Sequence, residues 1–262
     1  MSLKRYFNQI DKNGILIIQN LIDVKKINLI KKKLEKVLQK RNHNNNFVGT
    51  ENNQILWNYF FDDKSLLHLI KIPLVDKILK KILEPNYVLQ SSVAQSRSFS
   101  RKKLKTKKKE DLGTTWHTDS RYLNNKKISK GFSYLVIVAL DDFTESSGTK
   151  YIPESLNLDS KPKRSFNKAD LIKLKPKTLK MKAGSVCIMD TGIYHKAGYP
   201  GLNSRWSIFS IYTGWFVKPY FNYQKIFKKY KINKSIKKIL HFYSQPPEIN
   251  NIRSVLTKNF DE

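Results

Sequence analysis

The sequence predicts an α+β protein in which an antiparallel sandwich or barrel is preceded by helices and followed by helical decoration. Three observations carry this expectation. Apolar residues recur at helical spacing ahead of residue 85, and from Tyr87 they give way to runs rich in β-branched and aromatic residues. Helices first and a block of strands afterwards is the order that α+β organisation produces. The chain, with 262 residues of which 40% are hydrophobic and 12% aromatic, is long and apolar enough for one large core.

Taken in order, GILIIQN at 14–20 reads as a short strand. Asp23 then caps a helix whose inward positions are Val24, Ile27, Ile30, Leu34, Val37 and Leu38. Residues 41–54 are polar and Asn-rich and read as a loop. SLLHLIKI at 65–72 is helical, and Pro73, suited to a first helical turn, restarts a helix through Leu83. The strand block comprises YVLQSSVAQSRSFS, GFSYLVIVAL, YIP, SVCIMD and RWSIFSIYTGWFV, interrupted by basic loops at 101–111 and 160–177. Beyond Pro219, Ile226, Ile232, Ile236, Ile239 and Leu240 suggest helices laid on the core. The expected organisation is a domain over 1–219, helical to about 85 and β-rich from about 86 to 219, with 220–262 a basic helical extension of the same domain. No internal repeat is visible.

The net charge of +29 would ordinarily point to an acidic partner such as nucleic acid or an anionic membrane surface. Lys outnumbers Arg 42 to 8, however, and Asn and Ile are also abundant. That is the pattern codon bias in an AT-rich genome produces, whereas nucleic-acid readers lean on Arg. A nucleic-acid partner therefore stands second to a small molecule. The single cysteine, Cys187, lies in the apolar run SVCIM and reads as a buried free thiol in a reducing compartment. YLVIVAL is too short to span a bilayer, and the N-terminus lacks an apolar leader, so a cytoplasmic location is expected.

The chemistry is concentrated at TWHTDSRYL, residues 115–123. In extended backbone, positions two apart face the same way, so His117 and Asp119 converge. A mononuclear non-heme iron site of the facial kind needs two imidazoles and one carboxylate. Among the other four histidines, His43 lies in the Asn-rich loop, His68 in a helical run and His241 in the basic tail. His195 follows an apolar strand that runs into a turn, and is the candidate third ligand. Arg205 and Ser207, again two apart at the start of a strand, can hold a carboxylate through an arginine fork and a hydroxyl. A polar pair at a strand end, in a jelly roll that binds without metal, is the competing interpretation of His117 and Asp119.

His117, Asp119, His195, Arg205 and Ser207, in this order, resemble the signature of the phytanoyl-CoA dioxygenase family. The likeness extends to NGILIIQNLID (13–23), ALDDFTESSGTKYIPES (139–155) and MKAGSVCIMDTGIYHKAGYPGLNSRWS (181–207), and covers most of residues 6–217. Pro153-Glu154-Ser155-Leu156 departs from the family's usual Pro-Gly-Ser-His, and the loop from Ser155 to Met181 is long and basic. These departures bear on the substrate pocket, not on the ligands. The resemblance implies a double-stranded β-helix, or jelly-roll, core with Fe(II) held by His117, Asp119 and His195. It also implies 2-oxoglutarate as cosubstrate, its far carboxylate on Arg205 and Ser207, with O2 as oxidant and succinate and CO2 as products. A carboxylate at 119, where related halogenases carry a small residue, favours hydroxylation or another two-electron oxidation over halogenation.

Gln95 is a further candidate for the cosubstrate carboxylate, although Gln90 lies in a similar context. Tyr134 can line the cosubstrate pocket or serve as a core aromatic. Trp116 and Arg121 flank the ligands as candidate substrate contacts, with packing and surface charge as the competing explanations. The basic segment 101–109 ends close before His117; in so lysine-biased a chain it reads first as a solvated lysine loop, and second as a segment that draws in an anionic substrate. Three classes thus remain at this level: an Fe(II)/2-oxoglutarate hydroxylase of a small molecule, a metal-free jelly-roll binding protein, and a basic nucleic-acid-binding protein or oxygenase. Oligomeric state is open.

Overall fold

The computed structural model describes residues 3–43, 48–50, 53–98, 115–119, 130–153, 155, 166–199, 201, 204–228 and 230–244. The strands are β1 (Ile15–Ile18), β2 (Val48–Thr50), β3 (Asn53–Trp57), β4 (Val88–Arg97), β5 (Ser133–Ala139), β6 (Lys150–Tyr151), β7 (Lys177–Thr178), β8 (Val186–Asp190), β9 (His195–Lys196) and β10 (Arg205–Thr213). The α-helices are α1 (Leu3–Asn13), α2 (Val24–His43), α3 (Pro73–Ile82), α4 (Lys168–Leu174), α5 (Tyr223–Phe227) and α6 (Lys234–Ile239). One sheet runs β1-β8-β5-β10-β4-β3-β2 and a smaller one β7-β6-β9, with antiparallel pairing in both.

β5 explains the layering. Its sequence SYLVIVA is buried at every position, so both faces of the large sheet must be covered. Val136 and Val138, with Leu16, Ile188 and Ile208, face a helical layer supplied by Ile10 of α1, Ile27, Ile30 and Leu34 of α2, and Ile78 and Leu79 of α3. The alternate residues Leu135, Ile137 and Ala139, with Cys187 and Met189, face inward, where Phe143, Leu179 and Met181 close the space against the small sheet. Two facing antiparallel sheets with helices on one outer face form the jelly roll that the sequence led us to expect. Burial pushes the Cys187 thiol well above its ordinary range, keeping it protonated and inert.

The structure departs from the sequence-based expectation at several elements. The stretch 41–54 is not simply a loop: α2 continues through His43, and β2 and β3 form a hairpin on the β4 edge. Asn-rich sequence gave no strand signal there, and the exposed edge of β4 dictates the pairing instead. α1, for which no element was expected, buries only Tyr6 and Ile10. SLLHLIKI forms a 3₁₀ helix, Lys64–Ile70, capped by Asp63, before Pro73 opens α3. The basic loop 160–177 holds α4, started by a reciprocal capping box between Asn167 and Asp170. Val24 and Ile226, expected inward, are exposed. Tyr223, Phe227, Ile236, Ile239 and Leu240 of the C-terminal segment join the helix-side core. Among the described residues, no helix is long and apolar enough to cross a membrane.

Candidate metal centre

His117 and His195 are tied backbone to backbone. The His117 N–H donates to the His195 carbonyl at 3.0 Å, and the His195 N–H returns a bond to the His117 carbonyl at 2.9 Å. The Asp119 N–H donates to the Thr191 carbonyl at 3.0 Å. Both ends of His-Thr-Asp are therefore pinned to the turn and strand that carry the second histidine.

Ring orientation follows from two further bonds. Nδ1 of His117 lies 2.8 Å from the Thr115 carbonyl, and Nδ1 of His195 lies 2.9 Å from that of Ile193. A carbonyl only accepts, so Nδ1 carries the proton in each ring and Nε2 keeps its lone pair for a metal. His117 Nε2 is 3.9 Å from Asp119 Oδ1, and His195 Nε2 is 3.6 Å from Asp119 Oδ2. Donor atoms of the three residues lie within 4.8 Å of one another. These spacings exceed a hydrogen bond, and they suit donors arranged around a common centre. His195 is buried, whereas the side chains of His117 and Asp119 retain 28% and 20% exposure, so the site opens on their side.

Sequence reasoning missed Asp190, which builds the turn beneath this site. Its carboxylate accepts the Gly192 N–H at 2.8 Å and the Gly131 N–H at 2.7 Å. The turn in DTGIYH then presents the Thr191 carbonyl to Asp119 and the Ile193 carbonyl to His195. An Asp two residues before a Gly at a strand end is a turn signal that could have marked it. Asp190→Ala leaves buried N–H groups without their acceptor and weakens Co(II) binding by roughly tenfold with all three donors in place. Unchanged Co(II) affinity would remove Asp190 from the support of the site.

Trp116 is not brought to the donors. Strand alternation turns it to the opposite face, where it packs with Tyr194 and Ile152. Phe166, ahead of α4, stands edge-on to both Trp116 and Tyr194, with ring centroids at 6.0 and 5.1 Å. Phe166 is thus seated on the residues immediately preceding the two histidines. Arg121, the other proposed flank, and the basic segment 101–111 lie outside the described residues.

Arg205 and Ser207 share the inner face of β10 and are both buried. The Arg205 guanidinium donates to the Ser147 carbonyl, lies 4.1 Å from the Phe143 ring centroid and, among the described residues, leaves its buried Nε without a hydrogen-bond partner. Burial lowers its pKa to about 10, with repulsion from Arg97 adding to the effect and Asp141 opposing it. It stays cationic at neutral pH. Strand register distinguishes the positions of the two glutamines. Gln95 sits directly across from Ser207 and donates through Nε2 to Asn53 Oδ1 at 2.5 Å, whereas Gln90 falls at the β4 bulge and uses its carbonyl to accept from Tyr220. Tyr134, by contrast, packs with Val136 and Val138 on the helix-facing side, away from Arg205. A core aromatic is the role its position supports.

The family described as phytanoyl-CoA dioxygenase (PhyH) matches residues 10–199. No curated protein sequence matches the chain. Among solved structures, the chain is similar to the epimerase SnoN in complex with Fe3+, alpha ketoglutarate and nogalamycin RO, with 15% identity, 82% of this chain and 84% of that chain covered, and a TM-score of 0.65. It is also similar to the non-heme alpha ketoglutarate dependent carbocyclase SnoK from nogalamycin biosynthesis, with 16% identity, 82% and 84% covered, and a TM-score of 0.64. At these identities the likeness establishes the fold.

Proposed function

The chain belongs to the phytanoyl-CoA dioxygenase family, and on that premise we propose that it is an Fe(II)- and 2-oxoglutarate-dependent oxygenase that hydroxylates a C–H bond of a small, anionic molecule. The observation that carries this reading is the convergence of two Nε2 lone pairs and one carboxylate at a site open on one side. That donor set fits ferrous iron bound on one face, with positions left for a chelating cosubstrate and dioxygen. When bound, iron with 2-oxoglutarate and O2 supplies the oxidising power, with succinate and CO2 released.

The residues do the positioning. His117, Asp119 and His195 hold the metal, and the carbonyls of Thr115 and Ile193 fix the imidazoles that face it. Arg205 and Ser207 take the far carboxylate of 2-oxoglutarate, with Gln95 beside Ser207. Phe143, Ile137 and Met189 keep the space between the sheets apolar and limit water around that buried charge.

Anaerobic titration of Fe(II) and 2-oxoglutarate into the apoprotein tests the site through their metal-to-ligand charge-transfer band. A metabolite screen for substrate-stimulated succinate then tests the substrate class. Absence of the band would sink the assignment and leave a metal-free binding protein. The similar structures are an epimerase and a carbocyclase, so product analysis must separate hydroxyl insertion from inversion and ring closure. For anionic-substrate capture, the combined Lys103→Glu, Lys105→Glu and Lys107→Glu variant raises KM for the substrate several-fold at low salt, and the difference shrinks as salt is added. An unchanged KM detaches segment 101–109 from substrate capture.

A further inference from the structure

His195 stands in the middle of a cross-strand row. It is bridged on one side to His117, and on the other the β6–β9 register sets Tyr151 directly opposite it. Directly opposed residues of an antiparallel pair project to the same side, with Cα atoms roughly 4.5–5.5 Å apart. Tyr151, His195 and His117 therefore line one surface, the surface that carries the metal donors. From there Tyr151 packs against the inner residues that include Ile137, Cys187 and Met189, and it is only half-buried.

A tyrosine hydroxyl is a hydrogen-bond donor at neutral pH, and among the described residues that of Tyr151 has no partner. The side chains it packs against are apolar, whereas a tyrosine hydroxyl facing a core ordinarily finds an acceptor. Its place in the row indicates which acceptor. The centre opens on the side of His117 and Asp119, and Tyr151 lies beyond the buried His195. The segment leading into Tyr151 starts at Ser147, whose carbonyl orients Arg205. Tyr151 thus stands on the wall between the carboxylate clamp and the metal donors, along the course of the cosubstrate and away from the mouth that admits the substrate.

Resting on the cosubstrate reading above, we infer that Tyr151 is a further cosubstrate-binding residue, whose hydroxyl donates a hydrogen bond to the metal-chelating end of 2-oxoglutarate. Arg205 and Ser207 hold one end of that molecule and Tyr151 the other. The clamp selects 2-oxo acids that carry a far carboxylate. Tyr151 serves any 2-oxo acid, because the chelating end is common to all of them.

The test is calorimetric binding of two probes, 2-oxoglutarate and 2-oxovalerate, to the protein loaded with Mn(II) without substrate. The second probe has the same chelating end and no far carboxylate. Tyr151→Phe keeps the ring and removes the donor. It is expected to weaken both probes by a similar factor, roughly tenfold, while the affinity for Mn(II) alone stays at the parent value. The charge-transfer band of Fe(II) with 2-oxoglutarate should be displaced in the same variant. Arg205→Met is the contrast and loses 2-oxoglutarate selectively. Parent affinity for both probes in Tyr151→Phe, alongside that selective loss in Arg205→Met, overturns the role of Tyr151 and leaves the cosubstrate reading standing. Weakening of 2-oxoglutarate alone would put the hydroxyl at the far carboxylate, and weakening of Mn(II) alone would make it a support for His195; either result overturns the inference. If the parent protein binds neither probe, the cosubstrate reading falls as well.

Discussion

Asp119→Ala and His117→Ala each lower substrate-linked succinate formation by more than about 100-fold, while the fold survives. The first half follows from the donor count. Removing either side chain leaves two donors where facial ligation needs three, a heavier loss than the 10–100-fold typical of disturbing a ligand's support. The second half follows from how the segment is held. The peptide bonds that fix it run from His117 N–H and Asp119 N–H to the carbonyls of His195 and Thr191, and an alanine keeps both. Circular dichroism and thermal melting should match the parent protein, whereas Co(II) absorption, which reports the donor set, should not. Parent-level turnover in either variant would overturn the iron assignment.

Gly148→Ala destabilises the whole domain, lowering the melting temperature by about 6 °C or more. Gly148 is buried in the segment ESSGT, and a Cβ there would run into the Leu179 carbonyl and lie 2.8 Å from both the Thr144 carbonyl and Thr178 Cγ2. Two of the three obstacles are backbone, so no side-chain rotation relieves them. A clash of this kind falls in the few-kcal/mol class, and about 3 kcal/mol shifts melting by roughly 6–12 °C in a protein of this size. Gly198→Ala should do much the same, because its Cβ would meet the Gly148 carbonyl from the other side. A melting temperature within a degree of the parent would show that this close approach is not needed. These glycines also set the neighbouring Ser147 carbonyl against Arg205, so any folded Gly148 variant should bind 2-oxoglutarate more weakly.

The legible parts of the molecule were those where one residue type has one good use. The apolar run in β5 has to be central, and Pro73 has to open a helix. The spacing of His117 and Asp119 presets two donors, and pairing through His195 completes the set in space. The β2–β3 hairpin was invisible because its pairing is imposed by the edge of β4, not by the composition of an Asn-rich segment. The sequence left the roles of Trp116 and Tyr134 open because an aromatic next to a ligand or at the head of a central strand carries no sign of its facing. The burial of their neighbours supplies that sign. The positions of Gln95 and Gln90 differ by register, which sequence alone does not show.

The reciprocal bridge between His117 and His195 also constrains the order of events as the chain matures. The two residues lie far apart along the polypeptide, and closing so long a loop is entropically costly before tertiary contacts repay it. A nascent or unfolded chain can offer iron only the local His-Thr-Asp pair, a weak clamp. Metal uptake should therefore follow folding rather than seed it, as expected for a cavity preformed by backbone bonds. Linkage then runs the other way. Iron at a hundredfold excess over its dissociation constant adds about 2.7 kcal/mol to the native state, so metal-starved cells would hold a less stable, more readily degraded pool of the same protein.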